Sequence, residues 1–230
     1  MKLTTSLRVK SLSPISNDCL QIILEKSENF YYQPGDCVDI SFPDALDLGK
    51  QTYSFASSPH EDVLMLAFKK GYSEFKHRLQ ALKSGDFLQA TQYGSNFIFN
   101  QKIPSVMIAG GIGITPFRSM IKTRLIEHPD VQTILIFQNR TLDFPFYTEL
   151  QTWDKECPSL EIIWIDSDTK GRLTPELLKS VLQERDTVFH YYVAGPPLMV
   201  DASIELLTKL KIQTQDIHTD SFDGYLDDIS

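Results

Sequence analysis

The chain has 230 residues, 42% of them hydrophobic, and 30 acidic against 22 basic side chains give a formal net charge of −8 at pH 7. That length can hold one large domain or two small ones, each with its own core, and the acidic balance disfavours nonspecific binding to nucleic acid or to an anionic membrane surface. The three cysteines, Cys19, Cys37 and Cys157, are far apart and odd in number, which argues against a disulfide framework and against a cysteine-ligated zinc or iron–sulfur site.

In chain order, the first hundred residues show short strand patterns at 20–24, 37–42, 52–56, 63–68 and 87–91, separated by Pro-Gly-Asp, Ser-Ser-Pro-His and Ser-Gly-Asp turns. Short strands at regular spacing predict an antiparallel β-barrel. One helix interrupts them, from Ser73 as its N-cap to about Lys83, with Phe75, Leu79 and Leu82 on the face that plugs the barrel. The texture changes at residues 100–104, so the expected domains are 1–101 and 102–230. Beyond that point strands at 106–109, 133–137, 161–165 and 189–194 alternate with helices running to about Glu127, near 146–153 and onward from Pro175. Such alternation predicts an α/β doubly wound parallel sheet, with ligands at the carboxyl ends of its strands near the switch point.

Two glycine turns lie at such ends. Gly110, Gly111 and Gly113 follow the first strand, Ile114 comes next, and Thr115 with Pro116 is read as N-cap and first helical residue. The free amides of that helix start suit a pyrophosphate. From Gly111 the spacing is G-x-G-x-x-P, one residue different from the dinucleotide fingerprint, so a plain tight turn between strand and helix is the competing reading. The second turn is Gly195-Pro196-Pro197-Leu198-Met199. The N-terminus has no apolar signal-peptide core and no apolar run is long enough to cross a bilayer, so a soluble cytoplasmic protein is expected. His60, His77, His128, His190 and His218 lack metal-ligand spacing, and no metal is expected.

Taken together, separated segments make the chain resemble the ferredoxin–NADP reductase superfamily of flavin reductases over nearly its whole length. Gln51-Thr52-Tyr53-Ser54 resembles the flavin motif Arg-x-Tyr-Ser/Thr, and Gly71-Tyr72-Ser73-Glu74 the phosphate segment Gly-x-x-Ser. Residues 110–116 resemble the nucleotide segment, Ala194-Gly195-Pro196-Pro197-Leu198-Met199 the motif Cys-Gly-Pro-Pro-x-Met, and Asp220-Ser221-Phe222 the C-terminal Glu-x-Phe. The resemblance implies FAD on the barrel, NADPH or NADH on the α/β domain, and hydride transfer between nicotinamide and flavin N5 with Ser54, Tyr53 and Asp220 at the reacting rings.

On that basis Tyr53 stacks on the isoalloxazine or is simply a barrel-core tyrosine, and Ser54 offers its hydroxyl to N5 or bonds its own strand. Ser73 and the amides of Gly71 and Tyr72 hold the pyrophosphate, or merely cap a helix, with Ala67, Phe68 and Lys69 leading into them and Lys70 alongside. Gln51 stands where the family has a phosphate-binding arginine, Ala194 where it has cysteine and Asp220 where it has glutamate; Gln51, even with Lys50 beside it, offers no bidentate fork.

The second parallel strand ends in Asn139 and Arg140 with no acid before Asp143, which favours NADPH unless Arg140 is a solvated loop residue. Lacking an iron–sulfur cluster of its own, the chain is expected to pass electrons to a small acceptor or a separate protein such as a ferredoxin, a flavodoxin or an oxygenase component. Lys69, Lys70, Lys76, Arg78 and Lys83 offer a basic docking patch for one, or an ordinary solvated helix face. The alternative function is a binding or regulatory module on the same fold that has lost tight flavin.

Overall fold

The computed structural model describes residues 4–95, 97–183 and 187–222. They fall into two compact units, 4–95 with 115–123 and 97–114 with 124–222.

The first unit is built on an antiparallel sheet of β1 (Thr4–Pro14), β2 (Cys19–Glu25), β3 (Cys37–Ser41), β4 (Gln51–Ser54), β5 (Val63–Lys69) and β6 (Phe87–Tyr93), in the order β4-β3-β6-β1-β2-β5. The edge strands meet at one point, where Phe55 bridges Leu66 and the Ala56 amide donates to the Met65 carbonyl at 2.7 Å. This makes the sheet a nearly closed barrel and leaves few bare strand edges. Alternate inward residues such as Ile22, Leu24, Val38, Ile40, Leu64 and Leu66 fill it. Helix α1 (Glu74–Gln80) adds Phe75 and Leu79. It ends three residues before Lys83, because the 83–86 turn, with Gly85 at φ +97° and the Lys83 amide donating to Asp86, cannot continue a helix.

In the second unit β7 (Ser105–Gly110), α2 (Ile114–Glu127), β8 (Thr133–Asn139), α3 (Tyr147–Glu156), β9 (Leu160–Asp166), α4 (Ser167–Lys170), α5 (Pro175–Gln183), β10 (His190–Gly195), α6 (Pro197–Lys209) and β11 (Ile217–Ser221) alternate, although residues 115–123 of α2 group with the barrel. The sheet is parallel throughout, ordered β11-β10-β7-β8-β9. Chain order reverses between β7 and β10, which is the switch point. Every residue of β7 is buried, as expected of a central parallel strand.

Helix α2 begins earlier than the sequence suggests. Gly111–Gly113 form a 3₁₀ turn and Gly113 is the N-cap, so Thr115 is a buried second helical residue and not the cap. Pro116 is then the third helical residue, still among the four whose amides have no helical acceptor. Among the described residues no helix is long and apolar enough to cross a membrane, and no group of metal-ligating side chains comes together.

Candidate functional site

Within the barrel unit the polar residues of interest lie where β4 and β5 part. Antiparallel from the Phe55–Leu66 bridge, Ser54, Tyr53 and Gln51 run back along β4 while Ala67, Phe68 and Lys69 run on along β5 without further pairing to it. Ser54 is buried as a residue, but its hydroxyl oxygen still reaches solvent and makes no hydrogen bond among the described residues. Tyr53 is half-buried against the barrel core, edge-on to Phe68 at 6.4 Å, and burial pushes its phenol up. Its hydroxyl donates to Gln51 Oε1 at 2.8 Å, so the glutamine is already engaged with the tyrosine two residues on. Thr52 faces out and donates to Asp39 at 2.7 Å. Ala67 and Phe68 are buried, so what they offer at this edge is backbone.

Beyond the end of β5 the chain turns into α1. Ser73 caps that helix, accepting from the Lys76 amide at 3.3 Å, and the Gly71 carbonyl accepts from Gln80 at 2.8 Å. Tyr72 is almost fully exposed. The lysines before it are tied to the β1–β2 turn. Lys69 lies 3.5 Å from Asp18, and Lys70 donates to the Asn17 carbonyl at 2.8 Å. Burial raises the Asp18 pKa, but bonds from Ser16 and Cys19 together with Lys69 outweigh it and hold the carboxylate below its usual range. The basic cluster of the sequence is therefore not one solvated face: Lys76 is buried, and Arg78 pairs with Asp44 at 2.6 Å over the Phe42 ring.

In the second unit the two glycine turns interlock. Gly111 adopts φ +52° and Gly195 φ +149°, backbone that side chains rarely accept. A Cβ on Gly113 would stand 2.2 Å from the Ala194 carbonyl oxygen, and one on Gly110 would meet Met199 at 2.6 Å and Pro196 at 3.1 Å. One on Gly195 would meet Met199 at 2.6 Å and the Gly110 carbonyl at 3.0 Å. These glycines are required by the packing of β7 against β10, whatever ligand the turn takes.

The C-terminal segment joins the same rim. Asp220 pairs with Ala194 and Ser221 with Gly195, and the Phe222 amide donates to the Gly195 carbonyl at 3.0 Å. Gly110, Gly111, Gly195, Pro196, Asp220 and Phe222 thus gather at the carboxyl ends of three adjacent strands. Pro197, the first residue of α6, has no amide hydrogen to offer there.

The next strand end, that of β8, carries Asn139 and Arg140. The Asn139 amide donates to the carbonyls of Thr141 at 3.3 Å and Asp143 at 2.9 Å and so shapes the loop, while Arg140 is exposed and makes no ion pair among the described residues. Strand-by-strand reading missed an acid beside it: the Asp168 amide donates to the Arg140 carbonyl at 3.1 Å, although twenty-eight residues separate them.

A second omission is Arg124, 1% exposed. It donates to the Ser105 hydroxyl at 2.5 Å, the Thr133 hydroxyl at 2.7 Å and the carbonyls of Asn100 and Ile103 at 3.1 and 2.9 Å, and lies over Phe99. No carboxylate pairs with it in these bonds, and burial lowers its pKa to about 10. Helix α2 also carries Arg118, Lys122 and Glu127, so nothing in its sequence set Arg124 apart as the buried one.

The residues fit both cofactors that the resemblance implies. A solvent-reached hydroxyl without a protein partner on β4 suits a polar ring atom, and the glycine turn ahead of α2 sets bare backbone at the carboxyl end of β7, where an anion can approach closely. Residues 107–204 match the model of the oxidoreductase NAD-binding domain. The chain is 26% identical to flavohemoprotein B of Dictyostelium discoideum, covering 82% of this chain and 49% of that one. It is 29% identical to the carnitine monooxygenase reductase subunit of Escherichia coli, covering 82% and 58%. A crystal structure of ferredoxin–NADP+ reductase from Plasmodium falciparum superposes with a TM-score of 0.80 at 16% identity, over 95% of this chain and 96% of that one. The chain spans about half to two thirds of the length of the curated relatives it matches first, 49%, 52% and 64%. With a nearly closed six-stranded barrel followed by a parallel five-stranded sheet, the chain has the two-domain fold of ferredoxin–NADP+ reductase, and its residues 107–204 match the oxidoreductase NAD-binding domain.

Proposed function

We propose that the protein is an FAD-dependent oxidoreductase that moves hydride between NAD(P)H and flavin N5 and passes electrons to or from a separate redox protein or small acceptor. The observation that carries the reading is the meeting of the two glycine turns with Asp220 and Phe222 on one rim of a parallel sheet, in a chain whose other unit is a nearly closed antiparallel barrel. When bound, the flavin supplies the two-electron chemistry, and the chain's part is to bind, orient and exclude water. Within the barrel of a flavin domain set at 1–101, Ser54 presents a hydroxyl, and Tyr53, fixed by Gln51, presents a broad apolar face. Ser73 with the amides of Gly71 and Tyr72 holds phosphate oxygens. In the α/β domain, set at 102–230, the turn at Gly110–Gly113, closed by the Ile114 amide onto Gly111, holds the dinucleotide pyrophosphate ahead of α2. Gly195, Pro196 and Met199 keep the neighbouring turn close, and Asp220 and Phe222 border the nicotinamide end.

A reductase subunit among the relatives supports a separate acceptor, while a flavohemoprotein among them keeps a small acceptor open. The visible spectrum of purified protein, followed by an acceptor screen with NADH and NADPH, tests the proposal. Flavin bands that bleach with either nucleotide support it. A protein that stays colourless after incubation with FAD or FMN and oxidises neither nucleotide is instead a binding module on this fold. Exposed Arg140 favours NADPH, so Arg140→Ala is expected to raise the Michaelis constant for NADPH roughly tenfold to a hundredfold and leave that for NADH alone, the loss of one charge-assisted bond. Equal effects would point to Asp168, on the same rim, as the group that reads the ribose.

A further inference from the structure

The turn that joins β4 to β5, residues 55–62, is held far more tightly than a surface hairpin needs to be. Arg118, whose side chain is 3% exposed, donates to the Ala56 carbonyl at 2.7 Å and to both carboxylate oxygens of Glu61 at 3.0 Å. Glu61 in turn accepts from the Ser58 amide at 2.6 Å. The Ser119 hydroxyl donates to the Ser57 carbonyl at 2.6 Å, and Ser58 and Thr123 share a hydroxyl bond of 2.8 Å. From the barrel side Tyr32 donates to the Ser57 carbonyl at 3.0 Å, and Lys26 donates to the Glu61 carbonyl at 2.9 Å. All of these groups belong to the barrel unit, in which residues 115–123 of α2 are included.

This grip sits at a mechanical point. Phe55 and Ala56 are where the barrel closes onto β5, and Ser54 is the first residue after the strands part. A shift of the turn by a fraction of an ångström would swing Ser54 relative to Ala67 and Phe68. Buried, bidentate and charge-assisted, the Arg118–Glu61 pair has the fixed fork geometry that resists such a shift. Burial works against the Glu61 charge, yet Arg118 holds the carboxyl below its usual range. Hydrophobic side chains of similar volume could fill the same space without specifying the position of a carbonyl.

We propose that Arg118 is a positioning residue for the flavin: by fixing the Ala56 carbonyl and Glu61 it sets how β4 and β5 part and where Ser54 presents its hydroxyl. This rests on the proposed function. The phosphate-binding groups, on Gly71–Ser73, lie on another segment, so the pair governs placement of the ring and not retention of the cofactor.

The test compares wild type, Arg118→Met, Arg118→Lys and a remote barrel-core control, Leu88→Val or Leu88→Ala, chosen to match the thermal stability of Arg118→Met. In flavin-free protein, amide exchange at Phe55 and Ala56 is expected to quicken at least about tenfold in Arg118→Met and not in the control, because local opening at the turn becomes easier. With FAD bound, its dissociation constant should stay within about threefold of wild type. The visible circular dichroism of the flavin should change, and its reduction by NAD(P)H should slow by about tenfold to a hundredfold. Arg118→Lys should recover part of each change. If Arg118→Met keeps the wild-type spectrum, reduction rate and exchange, or loses no more than the matched control, the inference is overturned while the proposed function stands. A wild type that takes up no FAD overturns the proposed function and this inference with it.

Discussion

At the carboxyl ends of β7 and β10 backbone lies against backbone, with no room for a Cβ on Gly110, Gly113 or Gly195. At β4, by contrast, side chains stand beside an opening, and one of them, Ser54, has no protein group to bond. The difference teaches which residues a fold needs for itself and which it carries for a ligand. A glycine wedged between strands is required even in the empty protein; a hydroxyl that bonds no protein group costs the fold nothing while water reaches it and is free to bond a ligand.

The sharpest way to break that comparison is Gly113→Ala. The obstructing atom is a carbonyl oxygen of the next strand, which cannot turn aside as the tip of Met199 can at Gly110. Overpacking of this kind costs about 3 kcal/mol or more, and urea unfolding should show it without any ligand. A Gly113→Ala protein of wild-type stability would mean that the turn is loose and that its glycine serves the dinucleotide.

Ser54→Ala should behave in the opposite way. With no hydrogen bond lost, stability should hold to within about 0.5 kcal/mol, while flavin reduction measured by stopped flow slows on the order of a hundredfold from loss of one orienting group. A stability loss with an unchanged rate would make Ser54 a residue of the barrel alone.

These two residues also show what was legible in the sequence. The glycine turns announced themselves because the packing that demands them is local, strand into turn into helix. The barrel was legible from strand spacing, yet β1, its longest strand, was not: of its eleven residues only Leu7 and Val9 are buried, and the rest read as a polar stretch. β11 escaped for the same reason, since Ile217–Ser221 has no fully buried residue and takes its order from pairing with β10. Ser54 and Tyr53 stood out only through the resemblance, because nothing in a Gln-Thr-Tyr-Ser strand foretells that its neighbour will diverge. Arg118 and Arg124 were invisible as partners: one answers a glutamate fifty-seven residues earlier and the other a ring of carbonyls and hydroxyls that only the fold assembles.

A smaller effect is expected from Gln51→Arg. The substitution adds charge beside a proposed pyrophosphate, but arginine cannot accept the Tyr53 hydroxyl that Gln51 now accepts, so part of the gain is lost. The expected result is FAD binding about tenfold tighter at low salt, with the advantage shrinking as salt rises. Weaker binding would show that the Gln51–Tyr53 bond matters more to the ring than charge does to the phosphates.

The smallest effect concerns the other edge of the second unit, where His218 stacks on Tyr192 at 5.0 Å and lies 5.6 Å from His190. Burial lowers the His218 pKa first, His190 lowers it further, and Asp216 pulls the other way. A base whose folded pKa lies below its unfolded value binds fewer protons when folded. Its contribution to stability is therefore complete above the unfolded value, about 6.5, and is lost as pH falls below that toward the folded value. Because the ring is partly exposed, solvent screens the effect, and the melting temperature should fall only about 1–2 °C from this cause between pH 8 and about pH 5. The carboxylates held low, Asp18 and Glu61, weaken the fold only at more acid pH, below their ordinary range. His218→Phe keeps a ring for Tyr192 and removes the titration, so its melting temperature should be flatter across that window. An equal slope in both proteins would move the titrating group elsewhere and leave this edge, like the glycine turns, a matter of packing alone.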